Sequence, residues 1–126
     1  MKINMAYELP NLNYEYEALE PHLDALTMEI HHSKHHAGYT ANLNAAIEGT
    51  EMSDKTIEEL LMEHKDNPAI RNNGGGYWNH CLYWDTLSPE PTNPSNELLS
   101  TINDKFGSMD NLKDELKSAA LKRFGS

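Results

Sequence analysis

One cysteine, two phenylalanines and two tryptophans are present, and ten basic residues stand against twenty acidic ones. Each shortage excludes something. The lone Cys81 cannot close an internal disulfide, which fits a reducing compartment. The net charge of −10 argues against a nucleic-acid partner, because gripping a phosphate backbone takes a basic stripe. It does not exclude a small anionic substrate. A few positive groups near a cleft dominate the local field within a screening length of about 8 Å, and Lys34 and the histidines are candidates for that role. No apolar run approaches the roughly 20 residues that span a bilayer, and Met1-Lys2-Ile3-Asn4-Met5 lacks the apolar centre of a secretory signal. The expectation is a cytoplasmic protein without a membrane partner. Strand-like alternation, internal repeats and low-complexity tracts are also missing, so the fold class reads as all-α.

Histidine is plentiful by contrast, with seven in 126 residues. Four of them fall in His31-His32-Ser33-Lys34-His35-His36, and Tyr39 follows. On an α-helix, His31, His35 and Tyr39 lie at i, i+4 and i+8 and share one face, while His32 and His36 share the next. Neutral imidazole is the commonest protein metal ligand. A helix pointing imidazoles and a phenol the same way suggests a metal site with a proton donor beside it.

The chain divides at its prolines. Glu8 to Glu17, with Pro10, reads as an extended arm. Pro21 suits the first turn of a helix, and from there to about Glu48 there is no other proline and no glycine but Gly38. Leu19, Leu23, Leu26, Ile30, Leu43 and Ile47 recur at helical intervals, and Gly49 marks a stop. A helix of about 28 residues would be about 42 Å long, so a kink near Gly38 or the histidines is expected. Ser53 is a candidate cap for a short helix to about His64, burying Ile57, Leu60 and Leu61. Asn67-Pro68 opens a third helix running to about Trp84. That helix contains Gly74-Gly75-Gly76, at a cost of roughly 1 kcal/mol per glycine relative to alanine. Close approach of another group to that face would explain them; a loop breaking the helix in two is the alternative.

Ser88 to Ser95 carries three prolines and reads as a linker. It separates an N-terminal helical hairpin, residues 1–88, from residues 96–126, with 89–95 between. In the second part Ser95 caps a helix to Phe106, with Gly107 as its stop. Ser108 caps a last helix, 109–124, whose apolar stripe is Leu112, Leu116, Ala120 and Phe124. The expected architecture is a long antiparallel hairpin followed by two further helices.

A second candidate ligand is His80, within Trp78-Asn79-His80-Cys81-Leu82-Tyr83-Trp84. If the long helices are antiparallel and joined near residues 48 and 68, His31 lies about 26 Å and His80 about 18 Å from the joined end. A kink and the short intervening helix absorb that difference, so the two imidazoles reach one level. Two imidazoles do not complete a site: redox iron or manganese wants a mixture of imidazole and carboxylate with an open position. Asp85, Glu29 and Glu20 carry no spacing signal for that role. Cys81 reads as a small filler and Trp84 as a wall of the site, while His22, His32, His36 and His64 read as surface or structural.

These residues resemble the iron/manganese superoxide dismutase family. The matching runs are Leu9-Pro10-x-Leu12-x-Tyr14 with Ala18-Leu19-Glu20-Pro21, then Met28-x-x-His31-His32-Ser33-Lys34-His35-His36-x-x-Tyr39. Asn72-Asn73-Gly74-Gly75-Gly76, Asn79-His80-x-x-x-Trp84 and Phe106-Gly107-Ser108 continue them. The resemblance implies that His31 and His80 are metal ligands, that Tyr39 is a gateway phenol, and that His35 lines the substrate entrance and takes part in a dimer contact. It implies superoxide anion as substrate, one manganese or iron ion per complete subunit, and a homodimer. Gly76 stands where iron-type members tend to carry a glutamine, and a glycine there resembles the manganese type. The family's full fold adds an α+β C-terminal domain whose Asp-x-Trp-Glu-His segment supplies two more ligands. No such segment occurs in these 126 residues, so a further domain or a second chain would have to complete the site. The other expectation is a catalytically inactive helical module that survives by association. A four-helix metal or haem carrier ranks last, because the chain does not carry the two Glu-x-x-His pairs of a di-iron bundle.

Overall fold

The computed structural model describes residues 7–123. Among them there is no strand, and the chain is all-α. The described residues form two compact units, one ending at Pro89 and the other beginning at Glu90.

The first unit is an antiparallel hairpin of two long, interrupted helices. One begins as α1, Ala25–Ile30, passes through a π-helical turn at His31–His36 and continues as α2, Ala37–Ile47. It starts later than Pro21 suggests. Glu20–Pro21 is a cis peptide in a turn, and the cap is Asp24, whose carboxylate accepts from the Thr27 backbone N–H and hydroxyl, each at 2.8 Å. The irregularity of the long helix falls on the histidines and not on Gly38. The wide turn is recorded in the Ala37 N–H, which donates back five residues to the His32 carbonyl.

A 3₁₀ turn at Glu51–Asp54 leads to α3, Ile57–Glu63. The cap of α3 is Thr56, not Ser53. Its hydroxyl accepts from Glu59 N–H and the Glu59 carboxylate accepts from Thr56 N–H, a reciprocal capping box. The return helix opens at Asn67-Pro68 as expected, with Asn67 Oδ1 accepting from Ala69 N–H at 3.0 Å. It runs through a π-helical segment, Ile70–Gly74, into α4, Gly75–Thr86. The three glycines therefore stay helical, and the loop alternative does not hold.

The hairpin register can be followed rung by rung. Leu43 lies opposite Gly74 and Tyr39 opposite Gly76. His36 then faces His80, and His32 faces Trp84. Two apolar clusters sit at the two ends. Leu43, Ile47, Ile57, Leu60 and Ile70 fill the closed end. Leu19, Met28 and Trp84, with Leu12, Tyr14 and Leu23 from the arm region, fill the open end. Leu26 and Ile30, on the expected apolar face of the first helix, are exposed.

The extended arm is tied down by polar anchors. Asn44 pairs with both backbone groups of Tyr7, accepting from its N–H and donating to its carbonyl, each at 2.8 Å. The Tyr7 hydroxyl donates to the Lys55 carbonyl and the Tyr14 hydroxyl to the Trp84 carbonyl.

The second unit is α5, Asn96–Phe106, and α6, Met109–Lys122. Ser95 Oγ accepts from Leu98 N–H and Ser108 Oγ from Asn111 N–H, both at 3.1 Å. Gly107 stops α5 with φ 84°, the left-handed conformation that glycine adopts without penalty. Ile102 is buried, whereas Leu98, Leu116 and Leu121 are exposed. The last residue of the expected α6 stripe, Phe124, lies outside the described residues.

Candidate metal centre

Between the two apolar clusters lies a layer of rings. The His31 and His80 imidazoles meet edge to face with centroids 4.9 Å apart, and Trp84 packs 4.8 Å from His31. The two candidate ligands, 49 positions apart in the sequence, thus reach one level of the hairpin. Tyr39 stands at 5.3 Å from His80 on the same level. Tyr83 closes the far side of His31 at 5.4 Å.

His80 has a defined tautomer. Its Nδ1 lies 2.7 Å from the Gly76 carbonyl, which only accepts, so Nδ1 carries the proton and donates. Nε2 is left with its lone pair. A ligating histidine is ordinarily oriented this way, its second nitrogen held by a carbonyl. Burial holds the His31 pKa below its ordinary value, and the His80 and His35 imidazoles push it the same way. Its neutral, lone-pair-bearing form therefore prevails at neutral pH. The donor set of these two rings fits a borderline cation such as divalent iron or manganese.

His36 is the surprise. It is fully buried, stacked on His80 with centroids 5.2 Å apart and planes 27° apart. The Trp84 indole N–H donates to its Nδ1 at 2.9 Å, so the ring proton sits on Nε2, 3.7 Å from Cys81 Sγ. With both nitrogens engaged, His36 is a packing partner and not a ligand. Burial is the main reason its pKa falls to about 4, with the His80 ring adding to it. The expected shared face of His31, His35 and Tyr39 is accordingly revised. The π-helical turn advances the contact from i+4 to i+5, so His36 turns inward against His80. His35 stays beside His31, at 6.1 Å, but is exposed. Spacing counted at 3.6 residues per turn gives no sign of this, and the density of histidines is the only hint.

His32 is also buried and serves the arm. Its Nε2 donates to the Pro10 carbonyl at 2.7 Å, and its Nδ1 accepts from the Tyr16 hydroxyl at 2.9 Å. Cys81 is half-buried, and burial pushes its thiol pKa up, as befits a filler. Lys34 and His22 are exposed. Of the candidate carboxylates, Glu20 accepts from Ala25 N–H, and Glu29 and Asp85 lie exposed. Among the described residues no group of three or more His, Cys, Asp or Glu side chains is placed to hold a metal ion. No helix of the described residues is long and apolar enough to cross a membrane.

Residues 6–88 match the model of the alpha-hairpin domain of iron/manganese superoxide dismutases. The chain is also 53% identical, over an alignment 128 positions long, to a Raoultella planticola protein named superoxide dismutase [Fe]; the alignment covers 97% of this chain and 75% of that relative.

Proposed function

Because the chain belongs to the iron/manganese superoxide dismutases, we propose that it provides the helical, two-histidine share of a centre that disproportionates superoxide to oxygen and hydrogen peroxide. The observation carrying this reading is the convergence of His31 and His80, with centroids 4.9 Å apart. An iron or manganese ion held there would supply the one-electron redox couple the reaction needs. Every other part of the task falls to side chains. His31 and His80 present lone pairs, the first because burial keeps it neutral, the second because the Gly76 carbonyl holds its other nitrogen. Trp84 packs against His31 and His36 against His80, and both keep the ligand rings from turning. Tyr39 holds a phenolic proton beside His80, where two superoxide anions and two protons must become oxygen and hydrogen peroxide. His35, exposed beside His31, stands where an anion would arrive.

Two ligands do not close such a site, and the Asp-x-Trp-Glu-His segment that supplies the others in the family does not occur in these residues. The metal-reconstituted 126-residue chain is therefore expected to show little superoxide consumption and weak metal uptake that His31→Ala or His80→Ala abolishes. Elemental analysis and a superoxide-consumption assay test this. Full turnover would overturn the need for further ligands. Metal uptake indifferent to both substitutions would overturn the site itself and leave an association module. Which of the two metals the chain retains is read from the same analysis. The homodimer implied by the resemblance is checked by light scattering.

A further inference from the structure

We propose that Gly76 is a positioning residue for Tyr39, its missing side chain forming the seat that holds the phenol ring flat against α4. The three consecutive glycines of this helix have different surroundings. A Cβ built on Gly75 meets nothing within 4 Å. On Gly74 it would touch the ends of the Leu61, Ile57 and Leu43 side chains at 3.2 to 3.7 Å, a tight but ordinary fit. On Gly76 it would lie no farther than 2.6 Å from Cγ, Cδ1 and Cε1 of Tyr39. Rotating the ring about its own axis does not relieve this overlap, because Cγ lies on that axis. Tyr39 sits in the interior of the first long helix, where one of the three χ1 wells is closed by the preceding turn. The His80 ring also stands beside it, at 5.3 Å. A side chain at position 76 must therefore drive Tyr39 into another rotamer or push α2 and α4 apart.

The same residue orients His80 through its carbonyl. One backbone position thus fixes the phenol by what it lacks and the imidazole by what it has. This deepens the functional reading above, on which the importance of Tyr39 rests, but the seat itself is a property of the metal-free fold.

The test compares Gly75→Ala with Gly76→Ala in the metal-free 126-residue chain, by thermal melting and by NMR of ¹³C-labelled tyrosine with Tyr39 assigned through Tyr39→Phe. Gly75→Ala is expected to raise the melting temperature by about 4 °C, from helix propensity alone, and to leave the Tyr39 resonances in place. Gly76→Ala is expected to shift those resonances, to lose the Tyr39–His80 cross-peaks and to gain no melting temperature. In a Tyr39→Ala background the same Gly76→Ala change should recover the gain seen at position 75. Unmoved Tyr39 resonances in Gly76→Ala would overturn the proposal, and so would a penalty that persists undiminished when Tyr39 is alanine. If Gly76→Ala alone does not fold, the comparison in the Tyr39→Ala background decides by the same criterion. None of these readouts needs metal, so failure here leaves the metal reading standing, and failure of metal uptake leaves the seat standing.

Discussion

At the scale of single residues, the histidines divide by the partners of their ring nitrogens. His80 keeps one nitrogen unengaged, whereas His32 and His36 have both occupied. The sequence shows which residues are histidines but not which nitrogens are spent, since that depends on Pro10, Tyr16, Gly76 and Trp84, at the far ends of other segments. His31, His80 and Tyr39 were legible because their side-chain chemistry is rare and their spacing simple. The inward turn of His36 was not, because it needs a helix that departs from its usual pitch. Replacing His32 with alanine should leave the Pro10 carbonyl and Tyr16 hydroxyl without partners, at a cost of about 1–3 kcal/mol. The arm at residues 8–17 should then be cleaved faster by protease, with a lower melting temperature. Tyr77 makes a pH prediction. Burial pushes its phenol up to about 12, with the nearby Cys81 thiol adding to it. The fold therefore disfavours ionisation that the unfolded chain permits near 10. The stability this contributes is present below pH 10 and is lost as pH rises from 10 towards 12. Alkaline unfolding followed by circular dichroism should show that loss, and Tyr77→Phe should reduce it.

At the scale of elements, helix ends were legible where one local signal stood alone and misread where two competed. Ser95, Gly107 and Ser108 act within one turn of their own helix, and each stands where its chemistry places it. Pro21 and Ser53 are equally good local signals that lost. The helix start falls at Asp24, whose carboxylate takes two donors. The start of α3 falls at Thr56, where the reciprocal partner Glu59 is at the right spacing. The capping-box pattern was present in the sequence, and two satisfied donors outweigh one. Thr56→Ala should cost about 1 kcal/mol, and urea unfolding of the hairpin measures it. The packing beneath that helix is less forgiving. Leu60 and Leu43 are both fully buried, so Leu60→Ala should destabilise by about 2–5 kcal/mol, the range for a cavity left in a rigid core.

At the scale of the molecule, the two units differ in what they bury. Residues 1–89 contain both apolar clusters and the whole ring layer. Residues 90–126 are two amphipathic helices with most of their leucines exposed. A fragment ending at Pro89 should keep its helicity and a cooperative thermal transition by circular dichroism. The complementary fragment is below the roughly 40 residues that usually sustain a fold alone, and it should melt without cooperativity. The all-α class and the hairpin were legible because they follow from periodicity and proline placement. The depth of the ring layer was not, since it arises only where two remote segments meet.

The wide turn at His31–His36 has one more consequence, for insertions and deletions. Excising a single residue there, Ser33 for instance, would give the backbone a more regular pitch and break no named contact of that side chain. Because the wide turn holds one residue more than a regular turn, the loss would be absorbed there, and everything downstream would keep its rotation about the rod. Tyr39 would keep its rung, and Leu43 and Ile47 would stay turned into the closed end. Within Ala37–Ile47 the pitch is already regular, so losing one residue there, Asn42 for instance, would rotate all that follows by about 100°. An excision at Ser33 should therefore be far less damaging than one at Asn42.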